Sequence, residues 1–330
     1  MKKVAAFAGL GASIFVTRRY LATRDAMADV DPEFRSPLLP LLPGSTNTRT
    51  LPLARRVLRL GLKHGGGVTV TERRVAGDPA VRVLVTTPTE DGATPRPAVL
   101  WIHSGGMILG SPQFEAPFSG RLARELGAVV VSPDYRLAPE NPFPAALDDC
   151  MATLRWMLAS ADELGIDSQR LAVAGGSAGG GLSAAVAQRS HDERITLRAQ
   201  VLIYPMLDDR TALREDHGRR GRFMWTPAVS RFAWTAYLGR EPRMSDAPEY
   251  AAPARRTDLA GLSPAWIGVG DLDILHEEGI RYAEQLKACG VACELITVPG
   301  MYHGADLIAS KAATMQEFSR SYVSHLRTYL

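Results

Sequence analysis

Residues 171–181 constrain the fold of this chain more than any other segment, because an apolar stretch there runs into a glycine-rich turn around Ser177. Leu171–Ala174 has the composition of a buried strand, and Gly180–Arg189 has that of a helix. The serine stands between two glycines in the arrangement G-x-S-x-G. On a sharp strand-to-helix turn, this motif presents a hydroxyl nucleophile above the edge of a sheet. The segment therefore predicts a nucleophilic serine.

The rest of the chain alternates between strand-like and helix-like segments from Val68 onward. Val68–Val75 and Val81–Thr86 alternate apolar and polar residues, as the strands of an antiparallel hairpin do. Later strand-like runs, such as Ala98–Ile102, are uniformly apolar, which is typical of buried parallel strands. An antiparallel start followed by repeated βα units predicts an α/β fold, with a mostly parallel central sheet and helices on both faces.

Two regions depart from this alternation. Residues 1–65 are predicted to form an N-terminal helical segment, and residues 66–330 a catalytic domain with an insertion at about 207–255. Ligands of such sheets bind at the carboxyl ends of the strands, so we expect both regions to contribute to a helical lid. The insertion contains a group of aromatic residues that either face the pocket or pack the lid onto the body: Phe223, Trp225, Phe232, Trp234 and Tyr237.

Residues 4–16 are an apolar run between basic residues, similar to the start of a signal peptide. The run is too short to cross a bilayer, and no small-x-small cleavage site follows it. Two interpretations stay open: a short N-terminal helix, or a segment for targeting or weak membrane contact. The expected location is cytoplasmic, with membrane association or export as the alternative.

Composition excludes several classes of function. A formal net charge of +3, with scattered arginines, argues against a nucleic-acid-binding protein. Three cysteines (Cys150, Cys289 and Cys293) do not form a disulfide framework and indicate a reducing compartment. No spacing typical of metal ligands occurs, so we expect neither a metal nor a cofactor.

A serine nucleophile requires a general base and an acidic group that orients the base. His303 follows the last predicted strand, and Asp273 follows the strand before it. The order Ser177, Asp273, His303 is the one that occurs with this type of turn. Asp271 and Asp208 also follow strands, and they remain alternatives for the acid.

The loop after Ile102 is the expected source of oxyanion donors. Gly105 and Gly106 allow the backbone to approach a substrate, and their N–H groups would join that of Ala178 at the start of the next helix. His103 lies on this loop rather than near the base, so it is interpreted as a residue that holds the loop.

In combination, the motifs resemble those of the hormone-sensitive-lipase family of α/β-hydrolase esterases. The resemblance covers about residues 68–328 and rests on five blocks: His103–Ser111, Asp134–Ala146, Gly175–Gly180, Asp273–Gly279 and His303–Gly304. It implies an α/β-hydrolase fold with a helical lid and a carboxylesterase that acts on small-molecule esters with short- to medium-chain acyl groups. It also implies Ser177, Asp273 and His303 as the triad, and it is compatible with a homodimer.

Three residues depart from the family pattern. Ser104 replaces the first glycine of the H-G-G-G loop, Met107 stands where an aromatic residue is common, and Gly176 replaces the usual Asp or Thr. None removes a catalytic group, although the last two affect the expected shape of the acyl pocket.

Two alternative functions stay open. The same machinery would serve an amidase or deacetylase acting on aryl amides, because only the pocket distinguishes the substrates. A ligand-binding homologue without turnover is the other alternative, and it would be expected to lose the nucleophile or the base.

Overall fold

Eight strands form one sheet in the order β1-β2-β4-β3-β5-β6-β7-β8. The structure is a computed structural model that describes residues 23–41, 46–59, 61–90, 92 and 94–330. Strands β1 and β2, and likewise β2 and β4, pair antiparallel, and the remaining neighbours pair parallel. The strands are β1 Val68–Val75, β2 Val81–Pro88, β3 Arg96–Ile102, β4 Val129–Pro133, β5 Ile166–Gly176, β6 Ala199–Ile203, β7 Ala265–Gly270 and β8 Cys293–Val298.

Helices cover both faces of this sheet. Residues 23–29 form α1. The others are α2 Leu51–Leu58, α3 Ala116–Leu126, α4 Ala145–Ala159, α5 Ala161–Leu164, α6 Ala178–Asp192, α7 Pro227–Leu238, α8 His276–Ala288, α9 Ala305–Ile308 and α10 Ala313–Tyr329. Short 3-10 turns occupy Pro32–Phe34, Leu39–Leu41, Asp209–Leu213 and Pro253–Arg255.

The side chains of each central strand alternate between two cores. In β3, Leu100 and Ile102 belong to the core shared with α4 and α6, whereas Val99 and Trp101 belong to the core shared with α3 and α10. This period of two follows from the pleat of a strand. The predicted α/β class, a mostly parallel sheet with helices on both faces, is confirmed.

The beginning of β5 differs most from the predicted element boundaries. Strand β5 begins at Ile166 rather than Leu171, because Ile166 pairs with Arg96 of β3 although the intervening residues are polar. The last helix, α10, begins at Ala313, because Ala312 is extended and separates it from the short α9.

The described part of the N-terminal region packs onto the body through apolar contacts and hydrogen bonds. Phe34 is buried in the core that also contains Tyr302, and the Tyr302 hydroxyl donates to its carbonyl oxygen over 3.2 Å. From α2, the Arg55 guanidinium donates to the carbonyl oxygens of Ile108 and Ala138. This region therefore contacts both the loop before His303 and the loop after β3.

Residues 4–16, for which a helix, a targeting role or a membrane contact was predicted, lie outside the described residues. Among the helices that the structure describes, none combines the length and the apolar character needed to cross a bilayer.

Candidate active site

Ser177 occupies a sharp turn between β5 and α6. Its backbone has φ 55° and ψ −118°, a conformation that costs a residue other than glycine about 1–3 kcal/mol. Two backbone hydrogen bonds hold the turn: the Ser177 N–H donates to Ile203 over 2.8 Å, and its carbonyl accepts from Met206 over 2.9 Å. The local strain raises the side chain above the end of β5, as the motif predicts.

The glycines beside the serine are required by close backbone packing. A Cβ on Gly179 would overlap the carbonyl oxygen of Ile102, and a Cβ on Gly175 would lie 2.6 Å from the same oxygen. No side chain fits at these separations. The glycines thus let α6 and β5 pass directly against the end of β3.

Ser177, His303 and Asp273 form one chain of hydrogen bonds. The His303 Nε2 lies 2.9 Å from the Ser177 Oγ, and the His303 Nδ1 lies 2.6 Å from the Asp273 Oδ2. All three residues are nearly inaccessible, at 3% exposure for the serine, 8% for the histidine and 1% for the aspartate. Because a carboxylate can only accept, Nδ1 carries a proton, and the neutral ring then offers Nε2 as a base toward the hydroxyl.

The fold brings these residues together although they are far apart in sequence. Asp273 follows β7, and His303 follows β8, while the serine follows β5. These strands are parallel, so their carboxyl ends lie at one edge of the sheet. The Asp273 Oδ1 also accepts from the Leu275 N–H over 2.9 Å, which fixes the carboxylate in its turn.

The two alternative acids have other partners. Asp271 accepts from the Gly300 N–H over 2.7 Å and pairs with Arg219 over 2.6 Å. Asp208 pairs with Arg210 over 2.8 Å. Of the three candidate carboxylates, Asp273 is the one that contacts the imidazole.

The three residues expected to supply oxyanion donors are Gly105 and Gly106, on the loop after β3, and Ala178, which follows Ser177 directly at the start of α6. The two loop glycines have φ 120° and 64°, values that favour glycine. Among the described residues, none accepts a hydrogen bond from these three N–H groups. Backbone N–H groups without a partner can stabilise an oxyanion that forms within their reach.

His103 holds the loop after β3, as predicted. Its ring stacks on Tyr135 with centroids 4.0 Å apart, and its Nδ1 donates to the Ser104 carbonyl over 2.8 Å. Burial lowers the pKa of His103 to about 4, although the Ser104 hydrogen bond opposes this shift. The ring is therefore neutral and serves the backbone rather than a substrate.

Two aromatic side chains lie against His303: Trp225, one of the aromatic residues predicted to face the pocket or to pack the lid, and Tyr204, which the sequence did not assign to the site. The Trp225 ring centroid lies 5.7 Å from that of the imidazole, and a Cβ on Gly106 would be 2.5 Å from the Trp225 Cη2. The Tyr204 ring meets the imidazole edge-on at 4.8 Å, and its hydroxyl donates to Asp306 over 2.8 Å. In the sequence, the position of Tyr204 at the end of β6 is the feature that could have indicated a place at the site.

Glu115 is a further buried acid that sequence reasoning missed. Its carboxylate accepts from the Ser104 N–H and from the Trp101 indole N–H, each over 2.8 Å. Burial raises the pKa of Glu115 to about 7 despite these hydrogen bonds. No pattern in the sequence singled out this glutamate, which lies eleven residues after Ser104.

The other two departures from the family pattern also lie beside the nucleophile turn. Met107 is buried, and its Cε is 3.7 Å from the point where a Cβ on Gly181 would lie. At Gly176, the nearest atom to such a Cβ is Cε2 of Tyr204, at 3.6 Å. Both positions adjoin the turn, where they can affect the shape of a pocket.

The described residues contain no group of three or more His, Cys, Asp or Glu side chains arranged to hold a metal ion. The site consists of a hydroxyl, an imidazole, a carboxylate and backbone donors. These groups suffice for nucleophilic attack on a carbonyl and for proton transfer to a leaving group.

Comparison with known proteins identifies the family. A family model described as alpha/beta hydrolase fold matches residues 99–307. The chain is a member of this family. Esterase LipI of Mycobacterium tuberculosis is 37% identical over 220 residues, which cover 66% of this chain and 68% of that protein. Carboxylesterase NlhH of the same species is 40% identical over 215 residues, covering 63% and 66%.

Solved structures of the family agree in fold. A bacterial heroin esterase superposes on this chain with a TM-score of 0.84 at 37% identity, covering 92% of this chain and 99% of that one. The resemblance to the hormone-sensitive-lipase group is confirmed. So is the predicted enzyme class, a serine hydrolase of carboxylic esters.

Proposed function

We propose that this α/β-hydrolase cleaves short- to medium-chain acyl esters through an acyl-enzyme formed on Ser177. The observation that carries this proposal is the hydrogen-bond chain from the Ser177 Oγ through His303 to Asp273, with distances of 2.9 and 2.6 Å. A neutral imidazole at hydrogen-bond distance from a hydroxyl is the arrangement that general-base activation requires.

In the first half of the reaction, the His303 Nε2 takes the proton from the Ser177 Oγ while that oxygen attacks the ester carbonyl. The N–H groups of Gly105, Gly106 and Ala178 donate to the resulting oxyanion. Each such donor contributes about 3 kcal/mol toward lowering the barrier. The protonated imidazole then gives its proton to the departing alcohol, and the acyl group remains on the serine oxygen.

In the second half, a water molecule takes the place of the alcohol. His303 removes a proton from the water, the hydroxide attacks the acyl carbonyl, and the carboxylic acid leaves as the proton returns to Ser177. Asp273 holds the imidazole tautomer and stabilises the imidazolium in both halves.

The lid assignment supports the proposed preference for acyl chain length. Ser177 is only 3% exposed, and Trp225 of the 207–255 insertion lies over Gly106. We propose that this insertion and the N-terminal segment 1–65 form a lid that opens for substrate entry. We expect a site closed by such a lid to accept small acyl groups and to exclude bulky polymers.

We further propose a cytoplasmic enzyme that forms a homodimer, with a weak membrane contact through residues 4–16. The sparse cysteines, the family resemblance and the apolar run between basic residues support these three assignments respectively. Sedimentation velocity on the full chain tests the homodimer, and a monomer would contradict it. Flotation with anionic vesicles tests the membrane contact, and protein that stays in the vesicle-free fraction would contradict it.

A rate series on p-nitrophenyl esters from acetyl to palmitoyl, run beside Ser177→Ala, tests the proposed function. We expect a maximum between acetyl and octanoyl esters, and a loss in kcat of about a millionfold in the variant. A serine-reactive phosphonate should label the wild type and leave Ser177→Ala unlabelled.

Other outcomes would change the assignment. A variant that keeps more than about a thousandth of the activity contradicts the acyl-enzyme mechanism. A maximum at palmitoyl would indicate a lipase. Turnover of matched anilides with none of esters would favour the amidase alternative, and absence of both turnover and phosphonate labelling would favour a ligand-binding homologue.

A further inference from the structure

Ser104, the residue that replaces the first glycine of the family's H-G-G-G loop, makes two hydrogen bonds to one carboxylate. Its backbone N–H donates to the Glu115 Oε1 over 2.8 Å, and its hydroxyl donates to the same oxygen in a short hydrogen bond. A glycine could make only the first of these. The departure therefore adds a donor to a buried acceptor.

Glu115 connects three elements through this carboxylate. Its Oε2 accepts from the indole N–H of Trp101 in β3 over 2.8 Å, its Oε1 accepts from the loop, and its backbone immediately precedes α3. The residue is 4% exposed. A buried carboxylate with three donors is costly to disturb, because each donor lost leaves charge without a partner.

The loop between β3 and α3 contains two glycines whose backbone must be held in place by other contacts. Gly105 and Gly106 follow Ser104 directly, and glycine backbones have more conformational freedom than any others. Their N–H groups have no acceptor among the described residues. The Gly105 carbonyl accepts from the N–H groups of Ile108 and Leu109, so this turn holds the loop after the donors, and Ser104 holds it before them. A displacement of about 1 Å in such donors is enough to cost a large part of their effect.

We propose that Ser104 and Glu115 act together as positioning residues for the oxyanion donors Gly105 and Gly106. This inference rests on the proposed function, because it concerns the same oxyanion site. The pair touches neither substrate nor reacting atoms. Its hydrogen bonds fix the His103–Ser104 peptide, which lies one peptide before the Gly105 N–H, while His103 Nδ1 bonds to the Ser104 carbonyl. The serine hydroxyl adds a hydrogen bond that the glycine of the family pattern cannot make.

The chemical state of Glu115 is consistent with this role. Burial raises its pKa to about 7, the hydrogen bonds from Ser104 and Trp101 oppose the rise, and the nearby Asp306 charge adds to it. Hydrogen bonds to the charged form therefore hold this pKa below the value that burial alone would give.

The test compares Ser104→Ala, Glu115→Gln and the double variant in the full chain. For each we would measure kcat and KM on p-nitrophenyl acetate, together with the inhibition constant of a trifluoromethyl ketone. The hemiketal that this ketone forms with Ser177 places an oxygen anion where the transition state does. Active-site titration with a phosphonate corrects every rate for the fraction of folded enzyme.

We expect Ser104→Ala to lower kcat about tenfold and Glu115→Gln about a hundredfold, with KM nearly unchanged, because positioned donors act in the transition state. Ketone affinity should fall by the same factors. The loss in the double variant should be smaller than the product of the two single losses, because both changes act on the same hydrogen bond between Ser104 and Glu115. Ser119→Ala is the matched control: this buried hydroxyl of α3 bonds to Ala116, and its loss should leave kcat and ketone affinity unchanged.

Two results would overturn the inference. One is a fall in kcat without a fall in ketone affinity, which would place the effect outside the oxyanion site. The other is full activity in both single variants. If Ser177→Ala also retained activity, the proposed function itself would fail; an inactive Ser177→Ala beside fully active Ser104 and Glu115 variants would reject the positioning pair alone.

Discussion

At the scale of single residues, two aspartates of the same turn have different hydrogen-bond partners, and only one of them contacts the imidazole. Asp271 and Asp273 are separated by one residue in the same turn. Asp273 points to the His303 Nδ1, whereas Asp271 accepts from the Gly300 N–H and pairs with Arg219. A carboxylate with an arginine partner is already satisfied, so these two acids should contribute very differently to the reaction.

Asp273→Asn should lower kcat by about ten-thousandfold, because the amide N–H₂ group can oppose the Nδ1 proton and favour the wrong imidazole tautomer. Asp271→Asn is the control. Its amide oxygen can still accept from the Gly300 N–H, and a half-exposed ion pair contributes at most about 1 kcal/mol. Steady-state rates on p-nitrophenyl acetate compare the two variants; an equal loss in both would contradict the assignment of the acid.

At the scale of elements, the aromatic residues of the insertion divide into two groups. Trp234 and Tyr237 of α7 are buried in the core shared with α4 and α6, and they attach the helix to the body. Trp225 precedes α7 and is buried in the same core, where its ring also lies beside Gly106 and the imidazole of His303. Trp234 and Tyr237 thus pack onto the body, and a place for Trp225 at the pocket stays a prediction.

Trp225→Ala should shift the preferred acyl length toward longer chains, because removal of the indole opens space beside Gly106. The ratio of kcat/KM for decanoyl over acetyl esters should rise by about tenfold, a value typical of a few methylenes in an apolar pocket. Trp225→Phe keeps most of the ring volume and should change this ratio less. An unchanged ratio in Trp225→Ala would mean that the indole does not limit the acyl site.

At the scale of the whole molecule, the N-terminal region is hydrogen-bonded to the loop that precedes His303. The Asp31 N–H donates to the Gly300 carbonyl, and the Phe34 carbonyl accepts from Tyr302, directly before His303. Phe34 shares a core with residues of α10. The two ends of the described chain thus stabilise the same loop.

Phe34→Ala should lower the free energy of unfolding by about 3–5 kcal/mol, the usual cost of removing a buried phenyl ring. Phe34 is 1% exposed, whereas the nearby Leu38 is 63% exposed. Leu38→Ala should therefore change stability by less than about 0.5 kcal/mol. Equilibrium urea denaturation measures both values, and equal effects would indicate that the N-terminal region is not packed on the body in solution.

Local sequence determined the nucleophile turn and the fold class. The apolar run of β5, the glycines around Ser177 and the small residues of α6 are neighbours in the chain, so the motif can be recognised without knowledge of the packing around it. The period of the apolar residues likewise predicted a parallel sheet covered on both faces. Placement after consecutive strands was enough to nominate Asp273 and His303, because parallel strands end at one edge.

Only the tertiary structure decided which groups surround these residues. The contact of Trp225 with Gly106 joins residues 119 apart in sequence, and the hydrogen bonds of Glu115 depend on how α3 docks beside the loop. Likewise, the direction of a side chain within a turn separates Asp273 from Asp271. Such relations depend on packing between distant elements, whereas periodicity and spacing in a sequence report only what neighbouring residues impose on one another.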